Sequence, residues 1–329
     1  EHLAMTITLG PLGQTTILQH LQSPLERTSF PRPGTRQLRL IFIGPVSADD
    51  AAWLGAYSAA YETTHVVIGH NMPPPLSLDF LSHFPAFSGF TLLSYKFTQF
   101  SELEHIPESI QELELGELQS SQLPLDILAR FPHLESLSLS GHITGCEAIG
   151  ELDNLKKLFL YMMTLPDPGL LGSLSALKHL VVMHGGMSDL SVVSSLADIE
   201  HIQLWRVRGL DNLDWLAGSS ALKILELGAL SKVKELPSFQ QLTNLEKIHL
   251  EQMKGLQSIS ALKDARNLES VHISQMNQLP MESYESLRGH PSLCELTPGY
   301  SSKKKQRMVA ALLNLPHVVY PAGGWDVSR

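Results

Sequence analysis

Two histidines, His249 and His272, come closest in this sequence to the spacing that a catalytic or metal site would need. They occupy the same place in neighbouring copies of a repeated pattern, and Glu226 and Glu251 occupy related places. Two imidazoles on adjacent strands could bind zinc together with a carboxylate. Histidine in a polar row of a sheet is more often an ordinary contact residue. A metal-dependent enzyme is therefore only a weak alternative, and we expect no metal site.

The sequence contains no other arrangement typical of catalysis. It has two cysteines, Cys146 and Cys294, which are too few for a disulfide framework, and we expect both to be reduced. The run His-Gly-Gly at 184–186 resembles an oxyanion loop, but no Gly-x-Ser-x-Gly, phosphate loop or His-Glu-x-x-His accompanies it. We therefore predict a protein that is not an enzyme and needs no cofactor.

The composition excludes several classes of partner. The chain has 329 residues, 43% of them hydrophobic and 17% charged, which is enough to bury a large core. A formal charge of −9 opposes binding to nucleic acid. We find no apolar run of about 18 residues and no signal segment, so the expectation is a cytoplasmic, monomeric protein without membrane contact. Residues 1–4 have the character of a cloning remnant.

A pattern of 21 to 24 residues repeats eight times along the chain. Each copy has aliphatic residues at positions 1, 4 and 6 and another at position 11 or 12. The copies are IQELEL at 110, LESLSL at 134, LKKLFL at 155, LKHLVV at 177, IEHIQL at 199, LKILEL at 222, LEKIHL at 245 and LESVHI at 268. No single copy could bury its aliphatic face alone, so neighbouring copies must stack.

This pattern resembles the leucine-rich-repeat family, L-x-x-L-x-L-x-x-N/C-x-L, over at least residues 110 to 298. The resemblance implies an α/β solenoid, a curved horseshoe with a parallel sheet on its concave face and irregular, 3-10 or short helical segments on its convex face. Position 9 departs from the family, because no copy has Asn or Cys there; its residues are Leu118, His142, Met163, Gly185, Val207, Leu230, Met253 and Met276. The loops must then be held by backbone hydrogen bonds and apolar packing, as in irregular repeats of plant disease-resistance and bacterial intracellular proteins.

We predict four segments along the chain. Residues 1–34 form an N-terminal remnant and cap, and residues 35–109 form degenerate repeats with convex insertions, including a helix near 49–61. In this stretch FTLLSY, at 90, would place Phe90, Leu93 and Tyr95 at positions 1, 4 and 6. Residues 110–298 form the regular repeats. Residues 299–329 form a C-terminal helical cap whose helix begins after Ser301 or Ser302 and has Met308, Ala311, Leu312 and Leu315 as its apolar stripe.

Positions 2, 3, 5, 7 and 8 of each repeat are predicted to face the concave surface, because they lie between the inward positions or just beyond them. Three consecutive repeats then place large side chains side by side. We call this set the 159–206 cluster: Phe159, Tyr161, Met162, Val181, Met183, His184, Trp205 and Arg206. Aromatic residues, Met and Arg are typical of binding hot spots. Lysines at 156, 157, 178 and 223 and the carboxylates of Glu226 and Glu251 are expected to form a charged rim. The same residues could instead be cross-strand pairs that stabilise the sheet.

The first functional hypothesis is a non-catalytic scaffold, an adaptor or inhibitor, that binds a protein partner through its concave face. Its predicted contact residues are the 159–206 cluster together with Glu226 and Glu251. A second hypothesis is that the chain is the sensing or substrate-recruiting portion of a larger ligase or receptor. The zinc-dependent enzyme built on His249 and His272 is the third and weakest.

Overall fold

The computed structural model describes residues 6–9, 15–33, 35–69, 77–84, 86–93, 97, 99–314 and 317–318, with the backbone alone at 6–9, 117–123, 142–143 and 317–318. The chain divides into two compact units, Glu1–Leu155 and Lys156–Arg329. The boundary falls inside the range predicted for the regular repeats. The expected remnant at 1–4, Tyr95 and Leu315 lie outside the described residues.

The first unit contains one sheet whose strands follow one another in chain order. Strand β1 (Thr6–Leu9) pairs antiparallel with β2 (Thr15–Leu21), and every later neighbour pairs in parallel. The later strands are β3 (Gln37–Phe42), β4 (Thr63–Ile68), β5 (Gly89–Leu93), β6 (Glu112–Pro124) and β7 (Ser136–Thr144). Strand β2 already belongs to the parallel ladder, within the stretch predicted as the N-terminal cap.

The connections of the first unit are mostly single 3-10 turns, as the resemblance implies. They are Arg27–Ser29, Asp79–His83, Phe100–His105, Leu125–Arg130 and Cys146–Glu151. The exception is helix α1 (Ala48–Ser58), which confirms the helix predicted near 49–61. Ser47 caps it by accepting a hydrogen bond from the backbone N–H of Asp50.

A polar contact fastens the segment after β2 to helix α1. The carboxylate of Asp50 is buried and accepts hydrogen bonds from Ser23 Oγ at 2.6 Å and Arg27 Nη2 at 3.0 Å. Burial opposes the charged form, but these bonds outweigh it and hold the pKa of Asp50 below its usual value. Arg27 also lies over the Trp53 ring, 5.7 Å from its centroid. The segment is therefore packed against the first convex helix.

The predicted register of β5 is wrong by three residues. Phe90 pairs with Leu113, and Leu92 pairs with Leu115, so Phe90 and Leu92 occupy positions 4 and 6. Phe87, which is also buried, takes position 1. The ring centroids of Phe87 and Phe90 are 6.2 Å apart. These two aromatic residues therefore fill positions 1 and 4 of the core, where the regular copies have aliphatic residues.

The second unit is a parallel ladder throughout its described strands. These are β8 (Lys157–Tyr161), β9 (His179–Met183), β10 (His201–Trp205), β11 (Ile224–Gly228), β12 (Lys247–Glu251), β13 (Ser270–Ser274), β14 (Glu295–Thr297) and β15 (His317–Val318). The connections include the 3-10 turns Pro168–Ser173, Ser191–Ser195, Asp214–Gly218 and Ser260–Asp264 and the short helix α2 (Met281–Glu285). We call the sheet face turned away from these connections the concave face.

The core of this unit consists of the repeated aliphatic positions. Positions 1, 4 and 6 are buried in successive copies, as in Leu155, Leu158 and Leu160. Position 9 is buried too, at Met163, Val207, Leu230, Met253 and Met276. The side chains of Leu118 and His142 lie outside the described residues. Apolar packing therefore replaces the side-chain ladder of the family at this position, as predicted.

A different side-chain ladder, which the sequence reasoning missed, lies just before the strands. Asn244 and Asn267 each precede position 1, and each side-chain amide donates to a backbone carbonyl of the preceding repeat. Asn154 and Ser292 form the equivalent bond elsewhere in the chain, at 2.9 Å and 2.8 Å. The signal was the dipeptide Asn-Leu at the start of three repeats. These bonds join carbonyls that the strand ladder leaves unpaired.

Helix α3 (Lys303–Leu313) is the predicted C-terminal helix, and Ser302 is its N-cap. The predicted apolar stripe is wrong, because the buried residues are Gln306, Val309 and Leu313. Met308 is 50% exposed. Gln306 is accommodated in the buried face because its amide donates to the carbonyl of Tyr300 at 2.6 Å.

Candidate functional site

Strands β8, β9 and β10 bring the 159–206 cluster together in register. Phe159 pairs with Val181, and Tyr161 pairs with Met183. Met183 in turn pairs with Trp205 on the next strand. Neighbouring strands lie about 4.8 Å apart, so position 7 of three repeats forms a continuous row on the concave face. This is the row that the sequence predicts.

Position 8 lies just beyond each strand in a left-handed backbone conformation. The φ angles are 53° at Met162, 57° at His184 and 50° at Arg206. This conformation costs a residue other than glycine roughly 1 kcal/mol. In each case the backbone N–H donates to the position 7 carbonyl of the next repeat, at 2.8 to 2.9 Å. The ladder thereby gains one bond per repeat, and the three side chains are exposed at the carboxyl edge of the sheet.

The cluster is exposed unevenly. Met162 is 63% exposed, and Met308 is the other large apolar side chain with comparable exposure among the described residues. Phe159, Tyr161, Met183 and Trp205 are half-buried. The expected exposure of Val181 is wrong, since it is only 3% exposed between its larger neighbours. The accessible part of the cluster therefore consists of positions 7 and 8 together with Phe159 at position 5.

The indole of Trp205 lies over Gly228 on strand β11. The two residues are register partners, and a Cβ added at Gly228 would stand 1.9 Å from Cε3 of the ring. Glycine at this position leaves room for the ring on the neighbouring strand. Trp205 therefore packs against the neighbouring strand and stays partly exposed.

Glu226 does not form part of an exposed rim, and this expectation is corrected. Glu226 is 6% exposed, and Nε2 of His201 donates a hydrogen bond to its Oε1 at 2.8 Å. Nδ1 of His249, on the other neighbouring strand, lies 3.8 Å from Oε2. Burial opposes ionisation, but these contacts outweigh it and lower the pKa of Glu226. Glu226 is a buried carboxylate between two imidazoles.

Glu251, the other predicted acidic contact, is half-buried at the end of β12. Its Oε1 accepts a hydrogen bond from Nε2 of Gln275 at 2.9 Å, and its Oε2 lies 3.5 Å from Nε2 of His249. These contacts hold the carboxylate against the sheet. His249 lies near both Glu251 and Glu226 and so connects the two carboxylates in one polar network.

His249 and His272 are register partners, and their rings make an edge contact with centroids 4.7 Å apart. Burial, with a smaller effect of His249, lowers the pKa of His272 to about 4. Within the described part of the chain, no group of three or more His, Cys, Asp or Glu side chains is arranged to hold a metal ion. The geometry is that of two packed imidazoles.

The lysine rim is partly neutralised by Glu200, which the sequence reasoning overlooked. Its carboxylate lies 2.7 Å from Nζ of Lys223 and 3.3 Å from Nζ of Lys178. Both contacts lower the pKa of Glu200, and that of Lys223 has the larger effect. The signal was position 2, where Lys178, Glu200 and Lys223 follow one another in successive repeats.

No protein-family model matches the chain, and no curated protein matches it. Solved structures do match. An internalin from Listeria monocytogenes has 15% sequence identity and a TM-score of 0.53, and the match covers 81% of this chain and 82% of that one. A chain in the structure of the Toll–Spatzle complex of Drosophila has 16% identity and a TM-score of 0.57. There the match covers 90% of this chain but only 45% of the other.

The described helices include none that is long and apolar enough to cross a lipid bilayer.

The parallel ladder, the 3-10 connections and the buried positions 1, 4 and 6 agree with the structural matches. The chain therefore has a leucine-rich-repeat fold.

Proposed function

We propose that the chain is a non-catalytic scaffold that binds a protein partner through the concave face of its second unit. The contact residues would be Tyr161, Met162, Met183, Trp205 and Arg206, with Phe159 and His184 beside them. The observation that carries the proposal is the exposure of Met162, 63%, next to a half-buried aromatic row. A contiguous apolar surface of this kind is typical of an interaction site.

The residue types and their support favour protein binding over a purely structural role. Trp and Tyr contribute large contact areas with little loss of side-chain entropy, and Met adapts to an irregular partner. Trp205 is oriented in advance by its seat over Gly228, so less entropy is lost when a partner covers it. Arg206 and His184 add polar groups at the edge, where they would favour orientation and association rate.

The second hypothesis, the recruiting portion of a larger ligase or receptor, keeps some support. The chain spans 45% of the matched chain in the Toll–Spatzle structure, so repeats like these also occur within longer proteins. By that analogy a protein ligand is the expected partner in either case. The zinc enzyme has no support in the described residues, where His249 and His272 pack on each other. A cytoplasmic location and a monomeric state stay predictions.

The proposal can be tested with a photo-crosslinking amino acid at position 162 and a matched control at position 308. Both positions are exposed methionines, but only Met162 belongs to the cluster. A partner identified by crosslinking at 162 and absent at 308 is then purified, and its dissociation constant is measured. We expect the Tyr161→Ala, Trp205→Ala protein to bind at least about 30-fold more weakly, as for hot-spot residues. Met308→Ala should bind normally.

The result that overturns the proposal is unchanged affinity of the double variant, with folding confirmed by circular dichroism. Equal crosslinking at both positions would also overturn the proposal, because nonspecific association with the protein surface would then explain the crosslinked product. The test does not require the biological pathway of the partner to be known.

A further inference from the structure

The first unit contains a cavity made of residues outside the 159–206 cluster. Residues of strands β2, β3, β4 and β6 line a half-open cavity of about 350 Å³, which is within the size range of small-ligand pockets. Its lining is largely polar and includes Gln37, Arg39, Thr63, His65 and Glu112. Nothing in the proposed protein-binding function uses these residues.

Arg39 is the unusual member of this lining. It lies between Ile17 on β2 and His65 on β4, its register partners in the ladder. Its Nε is buried and has no hydrogen-bond partner in the described part of the protein. A buried donor of a charged group is costly when it is left unpaired. An acceptor for the Nε–H of Arg39 is therefore missing from the described residues.

The acidic side chain of the lining, Glu112, is directed to a different partner. Its Oε2 lies 3.4 Å from Nδ1 of His65. His65 reaches across β5 because Gly89 has no side chain, and a Cβ there would stand 2.2 Å from Nδ1. The other ring nitrogen of His65 lies 2.8 Å from Oγ1 of Thr91. Both ring nitrogens of His65 thus face groups other than Arg39.

Two neutral donors stand beside Arg39. The side-chain oxygen of Gln37 accepts a hydrogen bond from Oγ1 of Thr15 at 2.7 Å, which fixes the amide so that its NH₂ group is left to donate. Thr63, the register partner of Gln37, contributes a hydroxyl to the same lining. A guanidinium, an amide NH₂ and a hydroxyl together match the acceptors of a carboxylate.

We propose that this cavity binds a carboxylate, with Arg39 as its ionic partner and Gln37 and Thr63 as hydrogen-bond donors. The carboxylate belongs either to a free organic acid or to an acidic side chain of a bound protein, since both present the same group. The site is independent of the 159–206 cluster, so either proposal can fail while the other stands.

The test uses the whole chain, labelled with ¹⁵N, and two probes. One probe is succinate, and the other is the peptide acetyl-Gly-Glu-Gly-amide, with acetyl-Gly-Gln-Gly-amide as its neutral control. The Nε–H resonance of Arg39 reports directly on a new acceptor. We expect a saturable shift of this resonance with one or both acidic probes and none with the neutral peptide.

Arg39→Gln should weaken binding at least tenfold. Arg36→Gln is the matched control, because Arg36 is exposed, pairs with Glu62 and does not line the cavity. Thr63→Val provides a second variant in case Arg39→Gln lowers the stability of the unit. A response to succinate alone assigns a free acid, and a response to the peptide alone assigns a protein side chain.

Three results would overturn the proposal. The first is no shift of the Arg39 resonance with either acidic probe at about 10 mM, well above the dissociation constant expected of a specific site. The second is equal affinity in wild type and Arg39→Gln. The third is an equal loss in Arg36→Gln, which would indicate general charge attraction and no defined site.

Discussion

Replacing Gly228 with alanine tests the seat of Trp205 on strand β11. The new Cβ would lie 1.9 Å from Cε3 and 2.2 Å from Cζ3 of the indole, so the ring must move. Overpacking of this kind costs about 1–3 kcal/mol. Gly228 is not in the left-handed region, so the alanine also stabilises by about 0.4–1 kcal/mol through the unfolded chain. We expect a net loss of about 1 kcal/mol in the free energy of unfolding.

A double-mutant cycle separates these two effects. In a Trp205→Ala background the steric conflict is gone, and Gly228→Ala should stabilise the protein by about 0.4–1 kcal/mol. The free energy of unfolding is measured by urea denaturation, followed by far-ultraviolet circular dichroism. A reversal of sign between the two backgrounds is the expected signature. If Gly228→Ala has the same effect in both backgrounds, the indole does not lie over Gly228 and the reasoning fails.

Two further predictions concern the histidines and Glu226. The pKa of His272 is lowered to about 4, so below about pH 6.5 the unfolded chain binds a proton that the folded chain does not, and stability should fall between pH 6.5 and 4. The loss in the free energy of unfolding is at most about 3 kcal/mol at pH 4, and about 1–2 kcal/mol after screening by solvent. His272→Gln should reduce the change in the urea midpoint between pH 7 and pH 5. The same change in wild type and variant would contradict the lowered pKa of His272. Glu226→Ala should cost about 2–3 kcal/mol at pH 7, because His201 loses its buried acceptor, whereas Glu251→Ala, at the more open end of β12, should cost less than about 1 kcal/mol. Equal costs in urea denaturation would show that Glu226 is not the centre of the network.

The fold could be predicted from the sequence because its repeats carry the same apolar positions eight times. Once Leu158 and Leu160 are placed inward, the parallel ladder fixes the neighbours of Phe159 and Tyr161. The register of β5 could not be predicted in this way. Phe87 and Phe90 fit position 1 equally well, and only pairing with β6 distinguishes them.

The sequence indicates on which face of the sheet each side chain of the candidate site lies, but not how deeply that side chain is buried. Alternation along a strand shows which face a side chain takes, and the row from Tyr161 to Trp205 follows from it. The burial of Val181 and Glu226 depends on the size and reach of residues on both neighbouring strands. For Glu226 a signal was present, because His201 and His249 both lie within reach on adjacent repeats.

The left-handed residue at position 8 has a consequence for how freely this surface can change. Six successive copies place Met162, His184, Arg206, Ala229, Gln252 and Gln275 in the same conformation, with φ between 50° and 57°. Side chains this different share the conformation, so their own preference does not set it; in the first five copies the backbone N–H of this residue donates to a carbonyl of the next repeat. The row is therefore open to substitution by most unbranched residues without loss of the core, while Asn or Gly would ease the backbone. The side chains along this edge, and with them the contacts proposed for Met162 and Arg206, can thus change while the ladder beneath them stays the same.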